Sequence, residues 1–97
     1  MARFIILCNL TQKGIENIKQ SPPRLDAAKK AFQAVGGELK EFYLVMGRYD
    51  MVVVADVPND EAAARLALAI SSGGALRSET LRAFTEEEYR KIIAALP

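Results

Sequence analysis

Two runs of the chain are apolar at almost every position. They cover residues 3–10 and 51–57, and the second contains Val52, Val53 and Val54 in succession. A strand that is apolar on both of its sides is typical of the centre of a sheet, where both faces are covered. These runs therefore predict two central strands.

Two other runs, residues 38–46 and 75–84, mix charged and apolar positions within strand-forming segments. The second carries Arg77, Glu79 and Arg82, so charges occur on both of its faces. Edge strands tolerate this pattern because one of their long edges has no neighbouring strand and is open to water. Both runs therefore predict edge strands, and residues 47–50 predict a turn between the first of them and the strand at 51–57.

Three segments have apolar residues at the spacing of an amphipathic helix. Their expected N-caps are Ser21 with Pro22 at the first helical position, Asn59, and Thr85 with Glu88 three residues later. The apolar stripes are Leu25, Ala28, Phe32 and Val35; Ala62, Ala63, Leu66, Ala67 and Ile70; and Tyr89, Ile92, Ile93 and Leu96. Glycine pairs at 36–37 and 73–74 predict the ends of the first two helices. One further helical turn is expected between residues 11 and 21.

The resulting order is β-α-β-β-α-β with a short helix added at the C-terminal end. This order predicts an α+β protein with a ferredoxin-like antiparallel sheet, as one domain over residues 1–97. Two long helices cover only one face of four strands, so the other apolar face must be buried by the last helix, by another subunit, or by both. We therefore expect the protein to associate with copies of itself.

The composition narrows the classes of partner. With 13 Lys and Arg against 12 Asp and Glu, the net charge of +1 gives no strong field for nucleic acid. The apolar run at residues 4–8 is too short to span a membrane. Cys8 is the only cysteine, so no intrachain disulfide is possible, and we expect a cytoplasmic protein that binds neither nucleic acid nor membrane.

Few residues suggest catalysis. The chain has no histidine, which removes the usual proton shuttle at neutral pH and a common ligand of zinc and haem. Cys8 lies within an apolar strand, where packing is a better explanation than nucleophilic or metal chemistry. We predict no catalytic residue, metal or cofactor; whether the protein is an enzyme stays open, with a non-enzyme favoured.

The turn at residues 47–50 has two interpretations. In the favoured one it locks a hairpin, with Asp50 accepting backbone N–H bonds within the turn and Tyr49 packing with its hydroxyl satisfied. In the alternative, Arg48, Tyr49 and Asp50 line a cleft at the sheet end or subunit junction, with Arg82 opposite, and bind a small polar or anionic molecule.

Basic residues are frequent around the first connection and the first helix. They are Lys13, Lys19, Arg24, Lys29 and Lys30. Acidic residues interrupt the run and no aromatic side chains are interleaved, so a solvated face is the favoured interpretation. Phosphate or carboxylate binding is the alternative.

The segment Met46-Gly47-Arg48-Tyr49-Asp50, followed by Met51 to Val54, resembles the hallmark of the GYD domain family, with Arg48 between the glycine and the tyrosine. Two other segments are similar to that family: residues 10–15 with Ser21, Pro22 and Arg24, and residues 78–85. The resemblance implies a relative of the dimeric α/β-barrel proteins, in which two sheets pack face to face. It implies no established chemistry, since the wider group includes haem enzymes, cofactor-free monooxygenases and transcriptional effector domains.

Three functions remain open at this point. The first is a homo-oligomer that binds a small polar or anionic molecule at a subunit junction. The others are a homo-oligomer whose role is self-assembly, and a cofactor-free enzyme of the dimeric-barrel kind.

Overall fold

A computed structural model describes residues 1–97 and contains one antiparallel sheet of four strands. The strands are β1 (Ala2–Leu10), β2 (Glu38–Leu44), β3 (Met51–Val57) and β4 (Leu76–Ala83), in the spatial order β2-β3-β1-β4. The two strands that are apolar on both sides lie at the centre and the two mixed strands lie at the edges. The ferredoxin-like prediction is therefore confirmed.

Four α-helices accompany the sheet: α1 (Gln12–Glu16), α2 (Ser21–Ala34), α3 (Asp60–Ser72) and α4 (Glu86–Ala94). Asn59 caps α3 and Thr85 forms the expected capping box with Glu88. Ser21 is not a cap. A 3₁₀ turn at Ile18–Gln20 runs directly into α2, so Ser21 is the first residue of that helix.

The hydrophobic core lies between the sheet and the pair α2 and α3. Even-numbered residues of β1 and odd-numbered residues of β3 face these helices, because side chains alternate along a strand. The core is built from residues such as Phe4, Val53, Val57, Phe32 and Leu66, all of which are buried. None of the helices has the length and hydropathy that crossing a membrane requires.

The opposite face of the sheet is not covered by a helix layer. Its centre is formed by Ile5 and Leu7 of β1 and Val52 and Val54 of β3, which are only partly buried. We call these four residues the open apolar strip. At one end of the strip Arg3 and Asp56 form a two-point ion pair at 2.8 and 3.0 Å, and the hydrogen bond to the guanidinium lowers the pKa of the Asp56 carboxyl.

The last helix projects from the rest of the chain. α4 makes only isolated contacts with other elements, and Tyr89, Ile92, Ile93 and Leu96 are 45–61% exposed. The radius of gyration is 14.6 Å, against about 12.5 Å for a compact protein of this length. The exposed face of α4 and the open apolar strip are thus two apolar surfaces that the chain itself leaves largely uncovered.

Candidate functional site

The loop between β2 and β3, residues 45–50, carries three of the residues singled out in the sequence. The backbone N–H of Val45 donates to the carbonyl of Asp50 at 2.9 Å, which closes the loop. Gly47 has a φ of 145°, in the region that side chains strongly disfavour. The glycine therefore allows the chain to reverse here.

Asp50 ties this loop to β1. Its backbone N–H donates to the carbonyl of Cys8 at 2.9 Å, and its carboxylate accepts from the backbone N–H of Leu10 at 2.9 Å. Asp50 thus accepts a backbone N–H, but the donor lies on β1 and not within the turn, where it was expected. β1 continues past the first residue of β3, and the side chain of Asp50 supplies the acceptor that the shorter strand lacks.

Tyr49 crosses the end of β1 on the open face. Its hydroxyl donates to Oε1 of Glu79 on β4 at 3.1 Å, and the guanidinium carbon of Arg48 lies 5.8 Å from the centre of its ring. Glu79 is in register with Leu7, which places its side chain on the open face. We call Arg48, Tyr49 and Glu79 the Tyr49 corner.

Arg82 lies apart from that corner. It is in register with Phe4, so its side chain is on the helix-facing side of the sheet, three residues along β4 from Glu79. Its guanidinium carbon stacks 4.4 Å from the ring centre of Phe84 and 5.7 Å from that of Phe4, and its N–H groups donate to the carbonyls of Arg3 and Ala83. The structure does not place Arg82 opposite Tyr49 and Asp50.

Cys8 is buried, as its position in an apolar strand predicts. Burial raises the pKa of its thiol to about 11, so the nucleophilic thiolate is scarce near neutral pH. The thiol donates one long hydrogen bond, to the carbonyl of Ile6 at 4.0 Å. The local geometry favours a packing role.

The Tyr49 corner offers polar groups of both signs on one surface. Arg48 supplies a cation, Glu79 an anion, and the Tyr49 hydroxyl lies between the loop and β4. Sequence reasoning singled out Arg48, Tyr49 and Asp50 but used Glu79 only as a sign of an edge strand. The contact joins residues 30 positions apart, so only the strand order could have revealed it.

The sheet, its connections and the glycine-containing loop define a ferredoxin-like α+β protein. The sequence model of the GYD domain family matches residues 4–93, and the chain belongs to this family. This confirms the resemblance carried by the loop and its two flanking segments.

Two further comparisons place the chain among known proteins. The glutamine synthetase and cystathionine beta-lyase binding protein of Thermus thermophilus is 31% identical over 84 residues, which cover 86% of this chain and 88% of that protein. The feast or famine regulatory protein of M. tuberculosis, complexed with L-methionine, has a TM-score of 0.67 at 14% identity. That match covers 88% of this chain but only 51% of the regulator's chain, so it shows a shared fold.

Proposed function

We propose that this protein is a homo-oligomeric binding module whose copies pair through the open faces of their sheets. The observation that carries the proposal is the open apolar strip, which no helix of its own chain covers. α4 adds a second apolar surface without a partner. Large exposed apolar patches are uncommon on monomeric soluble proteins and mark association surfaces.

The available area is suitable for a dimer. Four strands spaced about 4.8 Å apart, with about seven residues each at about 3.4 Å per residue, present a plane of roughly 450 Å². Side-chain relief and the exposed face of α4 increase the contact area toward the ~800 Å² per partner that stable interfaces bury. Arg3 and Asp56 would enter this interface already paired with each other.

The proposed ligand is a small polar molecule at the junction between subunits. The Tyr49 corner lies at one end of the open face, so a second sheet packed on that face would roof it. Arg48 suits a carboxylate, Glu79 suits an amino group, and one oxygen of Asp50 remains beside its bond to Leu10. A zwitterion fits this pair of charges better than a simple anion, because Glu79 would repel a second negative group.

Native mass spectrometry of the protein purified from its own cells tests the association and the retained ligand together. We expect a dimer or larger oligomer carrying extra mass that denaturation removes. A thermal-shift panel of the common L-amino acids then uses defined probes. Any stabilising probe should lose its effect in Tyr49→Phe and keep it in Tyr43→Phe, since Tyr43 is also a tyrosine bonded to a glutamate, Glu41, but lies on β2.

A monomer in native spectra would contradict the pairing. An oligomer whose response to the probes is equal in the two tyrosine variants would exclude the Tyr49 corner and favour assembly alone. Turnover of a bound probe would move the protein into the enzyme class.

A second candidate function is binding to a metabolic enzyme. It is favoured by the name of the Thermus relative, which states an interaction with two enzymes. The chain also exposes apolar residues outside the open face, with Leu44 at 76% and Met46 at 98% exposure beside the β2–β3 loop. Surface plasmon resonance against purified glutamine synthetase and cystathionine beta-lyase from the same cells tests it, and Met46→Glu should weaken any binding seen.

A further inference from the structure

A cavity of about 440 Å³ lies within one protomer, between α2, α3 and the helix-facing side of the sheet. Its floor includes Cys8, Phe32, Met51 and Val53, which are buried, so the cavity reaches the hydrophobic core. Of 22 lining residues, 17 are hydrophobic. The cavity is on the other side of the sheet from the Tyr49 corner and does not depend on the function proposed above.

Short side chains on the two helices leave this space open. Ala27, Ala28 and Ala31 of α2 and Ala67 and Ala69 of α3 all line the cavity. Protein interiors ordinarily leave few voids larger than a water molecule. Cavities of 300–1,000 Å³ with apolar walls and a few polar groups are the usual form of small-molecule sites. An apolar ligand body is therefore the occupant that these walls suit.

One charged side chain lines the cavity. Arg24 of α2 is the only ionisable group with a formal charge at neutral pH among the lining residues, and it forms no salt bridge with any acidic residue. It is half-buried, and the remaining polar lining comes from Gly73 and the serines Ser21, Ser72 and Ser78. An unpaired guanidinium beside an apolar chamber is suited to a carboxylate, which it can bind through two parallel hydrogen bonds.

The helix α4 of another copy is a less suitable occupant. Its apolar face, formed by Tyr89, Ile92 and Ile93, could cover the opening of the cavity, but this face carries no carboxylate that could pair with Arg24.

We propose that the cavity binds a small amphiphilic carboxylic acid, with its apolar chain or ring between α2 and α3 and its carboxylate on Arg24. The probes are the linear carboxylates hexanoate, octanoate and decanoate, used below their micelle-forming concentrations, and decanol as an uncharged counterpart. Isothermal titration calorimetry on the full chain should show binding that tightens about threefold to fourfold per added methylene group, as expected when each is buried.

Three variants locate the site. Arg24→Gln should weaken decanoate binding at least about tenfold while changing decanol binding less than twofold, because only the acid uses the charge. Lys29→Gln is the matched control, since Lys29 is on the same helix, exposed, and outside the cavity lining. Ala31→Leu should weaken binding of both probes, because the larger side chain occupies part of the chamber. Ala67→Leu, from α3, serves if the first variant does not fold.

Amide NMR spectra give an independent location. On addition of decanoate, the largest shifts should fall on Cys8, Ala31 and Ala67. No binding of decanoate at millimolar concentration would overturn the proposal, as would shifts confined to α4 and the open face. Equal loss of decanoate affinity in Arg24→Gln and Lys29→Gln would remove the role of Arg24 and contradict the carboxylate assignment.

Discussion

At the scale of single residues, Asp50 shows how one side chain completes a backbone ladder. β3 begins at Met51, which pairs with Cys8, so no residue of β3 lies opposite Leu10. The N–H of Leu10 points to where that strand would continue. The Asp50 carboxylate accepts that N–H at 2.9 Å. The position after the glycine-containing loop is therefore fixed by hydrogen bonding, whether or not a ligand also uses it.

Substitution of Asp50 should reveal that bond. Asp50→Asn keeps an acceptor oxygen and should lower the free energy of unfolding by about 1 kcal/mol or less, whereas Asp50→Ala leaves the Leu10 N–H unpaired and should cost roughly 1–3 kcal/mol. Urea unfolding curves of both variants measure the difference, with Tyr49→Phe as a control for the neighbouring side chain. An Asp50→Ala protein as stable as the parent would rule out the structural role.

Cys8 gives a second residue-scale prediction, based on its thiol. Burial raises the folded-state pKa to about 11, whereas an unfolded cysteine has a pKa of about 8.5. The thiolate should therefore be scarce in the folded protein at pH 8 and abundant in the unfolded chain. Reaction with an aromatic disulfide reagent at pH 8 should be at least about a hundred times slower in buffer than in denaturant. Equal rates in both solutions would show that Cys8 is accessible and ionised.

At the scale of elements, the sequence predicted the bounds of the strands and helices whose ends carry a turn residue, a proline or a capping residue. β3 begins after Asp50 and ends before Pro58, and Asn59 and Thr85 cap their helices as expected. β2 stops at Leu44 although Val45 and Met46 favour a strand, because the N–H of Val45 closes the loop onto Asp50. The strand propensity of Val45 and Met46 is overridden here by a hydrogen bond that cannot be inferred from the sequence alone.

The candidate site was harder to predict because it depends on register. Arg82 and Glu79 both belong to an edge strand with charges on each side, so the pattern does not reveal which charge faces the helices. The pairing of Phe4 with Arg82 and of Leu7 with Glu79 decides it. The loop residues Arg48, Tyr49 and Asp50 could be selected from sequence, but their partners Glu79 and Leu10 could not.

The short helix α1 is held against the start of β4 by a close approach at Gly14. A Cβ atom at this position would lie 2.2 Å from the backbone oxygen of Ala75, which also accepts the N–H of Thr11 at 3.0 Å. Gly14→Ala must therefore displace α1 or break this bond, and we expect a loss of about 1–3 kcal/mol. Thermal melts compare it with Gly73→Ala, where the nearest atom is 3.9 Å away and φ is −69°, so that alanine fits. Similar melts for the two variants would mean that α1 is not packed as closely as described.

At the scale of the whole molecule, the two uncovered apolar surfaces share one explanation. A nine-residue helix is marginal on its own in water, yet α4 has a full capping box and an apolar face that stays about half exposed. The open apolar strip is in the same situation. A second copy that packs on the sheet and against α4 would stabilise both.

Ile5→Lys tests this association directly. Ile5 is at the centre of the open face, in register with Val54 on one side and Leu81 on the other, so a lysine there has no carboxylate directly beside it. In a free monomer the new ammonium group can reach water, but between two sheets it would lose its hydration, at a cost of several kcal/mol. The dimer dissociation constant should rise by at least about a hundredfold, since each 1.4 kcal/mol is tenfold. Light scattering should then report a mass near 10.6 kDa. Leu68→Lys is the matched control because Leu68 is 73% exposed on α3 and away from the open face, and it should leave the oligomer intact. If Ile5→Lys kept the parent's mass while remaining folded, the open face could not be the interface between copies.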